Sequence, residues 1–380
     1  MRLIAFYLPQ FHTFPENDAW WGKGFTEWTN TKKALPLYNG HYQPRTPQDN
    51  NYYDLLNKST MIRQAALAKK YGVYGFCFYH YWFKDGKKLM EKPLEMFLQD
   101  KTIEIPFCLS WANEAFTRRW DGGNEEIIMP QEYGLKEEWK QHFYYLLDFF
   151  RDSRYIKQDG KPILIIYRPE ICPVMTEMLK YWITLAKEEG LSGLCFIVQG
   201  TVFNTTSDID DTDFNYRIMY EPGYTDCLLA KKEIKSIIKN TFSAPRFMWT
   251  HLMMELFKNS KSDKGMQIFS YDEFWKIILR RKNPGTKYIP GAFTDWDNSP
   301  RRGRAGRMFR GSTPEKFRKY LTQQIKIAKK DYATDMLFIT AWNEWAEGAY
   351  LEPDQKYGTK YLQAVKLALK DNDEFPLKNN

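Results

Sequence analysis

The chain has 380 residues, a formal net charge of +8 and 17% aromatic residues. The length exceeds the ~100–200 residues of an ordinary domain but suits an α/β barrel folded as one unit. The positive excess is diffuse and comes with no recognition motif, which argues against nucleic-acid binding, and no run of ~18 uncharged apolar residues supplies a membrane-spanning helix. The opening Met1-Arg-Leu-Ile-Ala-Phe-Tyr-Leu-Pro-Gln segment has one basic residue, a short apolar run and no small-residue cleavage site, so a cytoplasmic location is expected. Cys77, Cys108, Cys172, Cys195 and Cys227 are an odd set without Cys-x-x-Cys spacing, as expected of reduced, buried thiols.

Eight apolar, β-rich runs follow one another at residues 3–8, 73–79, 105–110, 163–167, 194–199, 216–220, 289–294 and 336–341. They are continuous rather than alternating, the pattern of strands buried on both faces in a parallel sheet. Helical patterns fall between them, among others at 59–71, 136–151, 174–189 and 314–330. Eight strands with helical crossovers predict a (β/α)8 TIM barrel with long βα loops at its C-terminal face. The barrel is read as one domain over residues 1–380, with an insertion at about 221–287.

In such a barrel the active site lies at the C-terminal strand ends, and chemistry-bearing residues collect there. The first run leads to His12 and a long loop containing Trp28; the second ends at Tyr79 and His80; the third leads to Trp111, Asn113 and Glu114. Beyond the seventh come Trp296 and Asp297, and beyond the eighth Asn343, Glu344, Trp345 and Glu347. For any one of them a buried hydrogen-bonding role competes with a substrate contact. A sugar ring stacks its C–H faces on aromatic rings while its hydroxyls need amides and carboxylates, so motifs mixing the two types read as saccharide-binding surface. Trp28 and Trp111 are the expected stacking platforms.

Glu344 and Glu347 are the expected catalytic pair. If the chain turns helically after the last strand, residues three apart share a face at roughly 5–6 Å, near the ~5–5.5 Å carboxyl spacing of retaining glycosidases. A continuing strand would instead point them to opposite faces.

Several blocks together resemble one family. Ala5-Phe-Tyr-Leu-Pro-Gln-Phe-His12, Trp20-Trp-Gly-Lys-Gly-Phe-Thr-Glu-Trp28, Gly40-His-Tyr-Gln-Pro-Arg45, Phe78-Tyr-His-Tyr-Trp82, Ser110-Trp-Ala-Asn-Glu114, Thr117-Arg-Arg-Trp-Asp-Gly122, Trp296-Asp-Asn-Ser-Pro-Arg-Arg302 and Asn343-Glu-Trp-Ala-Glu-Gly348 occur in the order of the WbsX-type, glycoside hydrolase family 99-like proteins of bacterial surface-polysaccharide clusters. The resemblance spans residues 3 to about 354 and implies the same barrel. It also implies an oligosaccharide or polysaccharide substrate, with Glu344 assisting the sugar's own 2-hydroxyl and Glu347 acting as general acid/base, as in endo-acting mannosidases. The chain departs from that hydrolase motif at Ala346, where a His commonly sits, and from WbsX-type proteins at Ala115-Phe116.

No cofactor or metal is expected. His12, His41, His80, His142 and His251 show no His-x-x-x-His pair, no phosphate-loop signature occurs, and the acidic run at 208–213 lacks EF-hand spacing. Arg301, Arg302, Arg304, Arg307 and Arg310 crowd the segment after the seventh strand, where barrels often bind phosphate; Arg301 and Arg302 would hold the donor of a glycosyltransferase, while the competing reading is a solvated loop. Lys231, Lys232, Lys235 and Lys239 beside apolar neighbours fit either a peripheral contact with an anionic membrane or an ordinary surface helix. The sequence specifies no oligomeric state. Its function reads as cleavage or transfer of a glycosidic linkage by the Glu344/Glu347 pair, with a glycosyltransferase and a catalytically silent glycan-binding protein as alternatives.

Overall fold

The computed structural model describes residues 1–118, 126–201, 213–230 and 265–376. The acidic run as far as Thr212, the lysines at 231, 232, 235 and 239, His251 and part of the Thr117 block lie outside the described residues.

Eight parallel strand positions form the barrel: β1 (Arg2–Tyr7), β2 (Gly75–Trp82), β3 (Phe107–Trp111), β4 (Lys161–Ile166), β5 (Cys195–Gly200), β6 (Tyr216–Met219), β7 (Tyr288–Ile289, resuming as Gly291–Phe293) and β8 (Met336–Thr340). The predicted apolar runs all become strands, and every residue of β2, β3, β5 and β8 is buried, which is why their sequences do not alternate. Neighbours pair in chain order from β1 to β6, and β8 pairs with β1.

The seventh strand closes the ring in two pieces. Tyr288–Ile289 pairs with β6 and Gly291–Phe293 with β8. Between them Pro290 has no N–H to offer the ladder, and its carbonyl instead accepts from the Phe338 amide at 3.1 Å. Gly291 is required at this seam: a Cβ there would stand 2.0 Å from the Met219 carbonyl oxygen.

Among the described residues, ten helices accompany the strands: α1 (Pro15–Trp21), α2 (Glu27–Lys33), α3 (Lys58–Tyr71), α4 (Glu91–Gln99), α5 (Lys136–Phe150), α6 (Met175–Glu188), α7 (Tyr271–Arg280), α8 (Ser299–Arg302), α9 (Pro314–Asp331) and α10 (Lys360–Lys370). α3 is capped at one end by Asn57, whose side chain accepts from the Ser59 amide, and stopped at the other by Gly72 in the left-handed conformation. α10 packs on α3 and α9, so the last helix shields the seam where the chain's beginning and end meet. No described helix is long and apolar enough to cross a membrane. α1, α2 and α8 lie in the loops at the C-terminal strand ends, and these build the site.

Those loops are tied down by buried amides. Asn343 accepts from the Leu8 amide at 2.8 Å and donates to the Leu8 carbonyl at 3.0 Å, joining the ends of β8 and β1. Asn113 does the same for the Arg168 backbone, at 2.7 and 2.8 Å, beyond β4. Asn343→Ala strands two buried backbone groups, and an unfolding free energy lower by about 2–4 kcal/mol is expected in urea titration.

Candidate active site

The cleft at the C-terminal face encloses about 260 Å3. At its centre the Arg301 guanidinium gathers three carboxylates. Nη1 donates to Glu347 Oε1 at 2.6 Å, while Nη2 lies 3.0 Å from Glu27 Oε2 and 3.5 Å from Glu344 Oε2. The three loops involved follow β1, β7 and β8, so the cluster exists only when the barrel is closed.

Local chemistry places each member. Glu344 ends a two-residue strand, and the chain then turns through the 3-10 turn Trp345–Glu347 and leaves at Gly348 in the left-handed conformation, φ 67°. The predicted helical turn therefore forms, in its tighter version. A side chain at position 348 would press at 3.0 Å on the Arg45 guanidinium, which also bonds Asp295 at 2.8 Å and the Gly348 carbonyl at 3.2 Å. The Asp297 amide donates to the Glu347 carbonyl at 2.6 Å, and Pro300 stands in the first turn of α8, which carries Arg301. Glu27 is the first residue of α2, and its amide bonds the Gln10 carbonyl.

Electrostatics at this cluster favour retained protons. Burial pushes the Glu344 carboxyl well above the ordinary carboxylate range, the Glu347 charge pushes it further, and Arg301 pulls it partly back. Burial also raises Glu347, Arg301 pulls it partly back, and the Glu27 charge adds to the rise. The difference follows the contacts: Arg301 is closer to Glu347 than to Glu344.

Aromatic side chains wall the cleft. Tyr79, Tyr81, Phe116, Tyr167, Tyr220 and Trp296 line it, and the Tyr79 hydroxyl donates to Tyr220 at 3.4 Å and accepts from Gln199 at 3.1 Å. Of the residues expected from the sequence, Tyr79, Glu114, Trp296, Arg301, Arg302, Glu344 and Glu347 come together here. Glu114 is paired with Arg168 at 3.1 Å.

The other expected residues do not border the cleft, and for His80 the reason is strand parity. Side chains alternate across a strand, so Tyr79 and Tyr81 line the cleft while His80 between them lies 2.8 Å from His142 on α5. Trp111, expected as a platform, is buried against His142 and Trp182 with its indole N–H on the Trp82 carbonyl. Trp28, the other expected platform, is buried among Phe11, Tyr53 and Trp345, its N–H donated to the Tyr53 carbonyl at 2.8 Å. Its indole supports the floor beneath Glu27 rather than offering a face. Trp345 stacks on Tyr350 and donates to Glu352. Asp297 accepts from Gln43 and bonds His41, both at 2.8 Å. His12 is buried with Nδ1 at 2.9 Å from the Pro9 carbonyl, and Asn113 and Asn343 are the backbone clamps described above.

Glu27, Tyr81, Tyr167 and Tyr220 were not legible as site residues. An acidic first residue of a helix is ordinarily read as complementing the helix dipole, and only the tertiary fold shows that Glu27 is 1% exposed and facing an arginine.

Comparison with known proteins adds the family. The model described as "Glycosyltransferase WbsX" matches residues 3–365. The chain belongs to this family. It is 36% identical over 372 residues to the "Uncharacterized protein WxcX" of two strains of Xanthomonas campestris pv. campestris; the match covers 97% of this chain but 49% of the relative, so the chain spans about half the length of the curated relatives it matches. Among solved structures it resembles the GH99 endo-alpha-mannosidase from Bacteroides thetaiotaomicron, with a TM-score of 0.54, 13% identity and 98% of both chains covered. A "Glycoside hydrolase-like protein" is similar to a TM-score of 0.53 at 12% identity, over 97% of this chain and 93% of that one. At such identities the likeness concerns the barrel fold.

Because folding raises the Glu344 carboxyl, the folded state keeps a proton that the unfolded chain releases above its ordinary value of 4.5. Stability from this group is therefore intact below that pH and falls as pH rises toward the folded value. Glu344→Gln is expected to raise the melting temperature at pH 7, with the gain vanishing as pH drops below about 4.5.

Proposed function

We propose that the protein cleaves or transfers a glycosidic linkage of a bacterial surface polysaccharide or its precursor, with Glu344 and Glu347 as the reacting carboxylates. The observation that carries this reading is the pair of protonation-prone carboxylates on one guanidinium, Glu344 buried and Glu347 partly exposed, opening into an aromatic-walled cleft. General acid/base work needs such carboxyls held near the working pH rather than far below it. One of the pair takes the proton of the attacking hydroxyl, and the other gives a proton to the departing oxygen.

The resemblance implies that Glu347 is the donor. Arg301 stabilises the Glu347 charge more directly, which puts the resting proton on Glu344. For Glu347 to donate, a substrate entering the cleft must loosen the Arg301 contact or let the proton pass within the pair. Arg301 thereby becomes the group that sets which carboxyl is acid.

Both Nη atoms of Arg301 are engaged by carboxylates, and this weighs against its holding the phosphate of a nucleotide-sugar donor, the role the transferase reading gives it. Arg302 lines the same cleft and keeps that reading open for a donor bound through one arginine. The family description favours transfer; the carboxylate cluster favours direct attack on a glycosidic bond.

Incubation with bacterial polysaccharides and, separately, with nucleotide sugars plus acceptors, read by mass spectrometry, separates the two. New reducing ends are expected from the polysaccharides; mass gain on an acceptor with nucleotide release would replace the hydrolytic reading. In the active assay Glu347→Gln is expected to lose about 10²–10⁴-fold on substrates with poor leaving groups and far less on activated ones. The same leaving-group dependence in Glu344→Gln instead would reverse the two roles.

A further inference from the structure

The turn that carries the glutamates has two sides. Glu344 and Glu347 line the cleft, whereas Trp345 between them borders a second pocket of about 700 Å3, between the loop of residues 47–53 and α3. One wall is the β1 loop, the other is α3, and Trp345 belongs to the loop after β8, so the second pocket shares the C-terminal face with the cleft and is separated from it by the turn itself.

The floor of this pocket is prebuilt and polar. Buried Glu352 accepts from Trp345 Nε1 at 2.7 Å, from the Tyr53 hydroxyl at 2.8 Å and from Gln64 Nε2 at 2.7 Å. All three donors are neutral, so the carboxylate is oriented without being neutralised by contact. At the rim, Asp49 and Asn50 are consecutive non-glycine residues in the left-handed region, φ 57° and 53°. Their loop is pinned on both sides: the Gln48 amide donates to the Pro353 carbonyl and the Gln355 amide to the Thr46 carbonyl, each at 2.9 Å. Backbone held in such sparsely populated conformations concentrates where it presents groups to a ligand.

Several of these groups are unspent. Asn50 Oδ1 accepts from Gln355 Nε2 at 3.1 Å, but its side-chain Nδ2 makes no hydrogen bond among the described residues. Arg63, exposed on α3 and lining the pocket, makes no ion pair or side-chain hydrogen bond among them either. The exposed charges at the rim, Arg63 and Asp49, are opposite in sign, which suits a neutral ligand better than an anion. The volume lies within the ~300–1,000 Å3 of small-molecule sites, and Tyr52 adds an aromatic ring to the amide, carboxylate and guanidinium.

We propose that this pocket is a second saccharide-binding site, taking a neutral oligosaccharide on the far side of the catalytic turn. The proposal rests on the glycan reading above. Through Trp345 and Glu352, a sugar bound there would touch the same turn that presents Glu344 and Glu347.

The test is saturation-transfer difference NMR on the Glu344→Gln/Glu347→Gln double variant, which holds glycan without turning it over. The probes are neutral gluco-, manno- and galacto-oligosaccharides of three to six units. At least one is expected to bind, to shift the Trp345 indole N–H resonance, and to lose one set of contacts with at least about tenfold weaker binding when Arg63→Ala and Asn50→Ala are added. Both positions are exposed, and a parallel Asn50→Gly change, which tolerates the left-handed backbone at this position, checks that the loss is not a distortion of the loop. Binding that the added changes leave untouched would place all the sugar in the cleft and overturn the second site while the glycan reading stands. Binding to neither pocket by any probe would remove both.

Discussion

A single buried guanidinium organises this protein's candidate chemistry. Arg301 is held among Glu27, Glu344 and Glu347, and one cation cannot neutralise three anions. Two unit charges about 4 Å apart repel by roughly 4 kcal/mol at an effective dielectric near 20, so the cluster lowers its energy by keeping a proton. That is a cost to folding, and under the proposed reading it is what lets a carboxyl act as an acid above the ordinary carboxylate range. Removing Arg301 would leave buried anions without their cation, which is far more destabilising than an ordinary surface ion pair is stabilising.

The scaffold around the cluster spends its polar residues on geometry. Arg45, His41 and Gln43 converge on Asp295 and Asp297, which brace the loop that carries Arg301. Asn343 and Asn113 close backbone gaps between neighbouring loops. The hydrogen bonds these groups make offset the hydration their polar atoms lose on burial. A motif dense in His, Asn, Asp and Arg can therefore be an active-site wall one layer removed from the substrate.

Aromatic residues divide in the same way. Tyr79, Tyr81, Tyr167 and Tyr220 line the cleft, where the Tyr79 hydroxyl meets that of Tyr220. The larger indoles of Trp28, Trp111, Trp342 and Trp345 are buried. The long β1 loop needs such a core of its own: Phe11, Trp28, Tyr53 and Trp345 pack together there, and this satellite core holds Glu27 at the site.

The eight strands were legible from the apolar runs, because a strand buried on both faces leaves an unbroken hydrophobic signature; their order and closure came from the barrel that this count and the family resemblance implied. That Glu344 and Glu347 lie side by side at the cleft was legible too, since their spacing matched a helical turn after the last strand. Tertiary structure decided the rest. Whether His80 or Tyr81 meets the cleft depends on strand parity relative to the barrel axis, and a shift of one residue would exchange them. Glu27 and Arg301 are 274 residues apart, so their pairing belongs to loop closure rather than to local pattern. The split of β7 at Pro290 shows the same division: the proline announces a break in the ladder, but only the closed ring determines which neighbour each half joins.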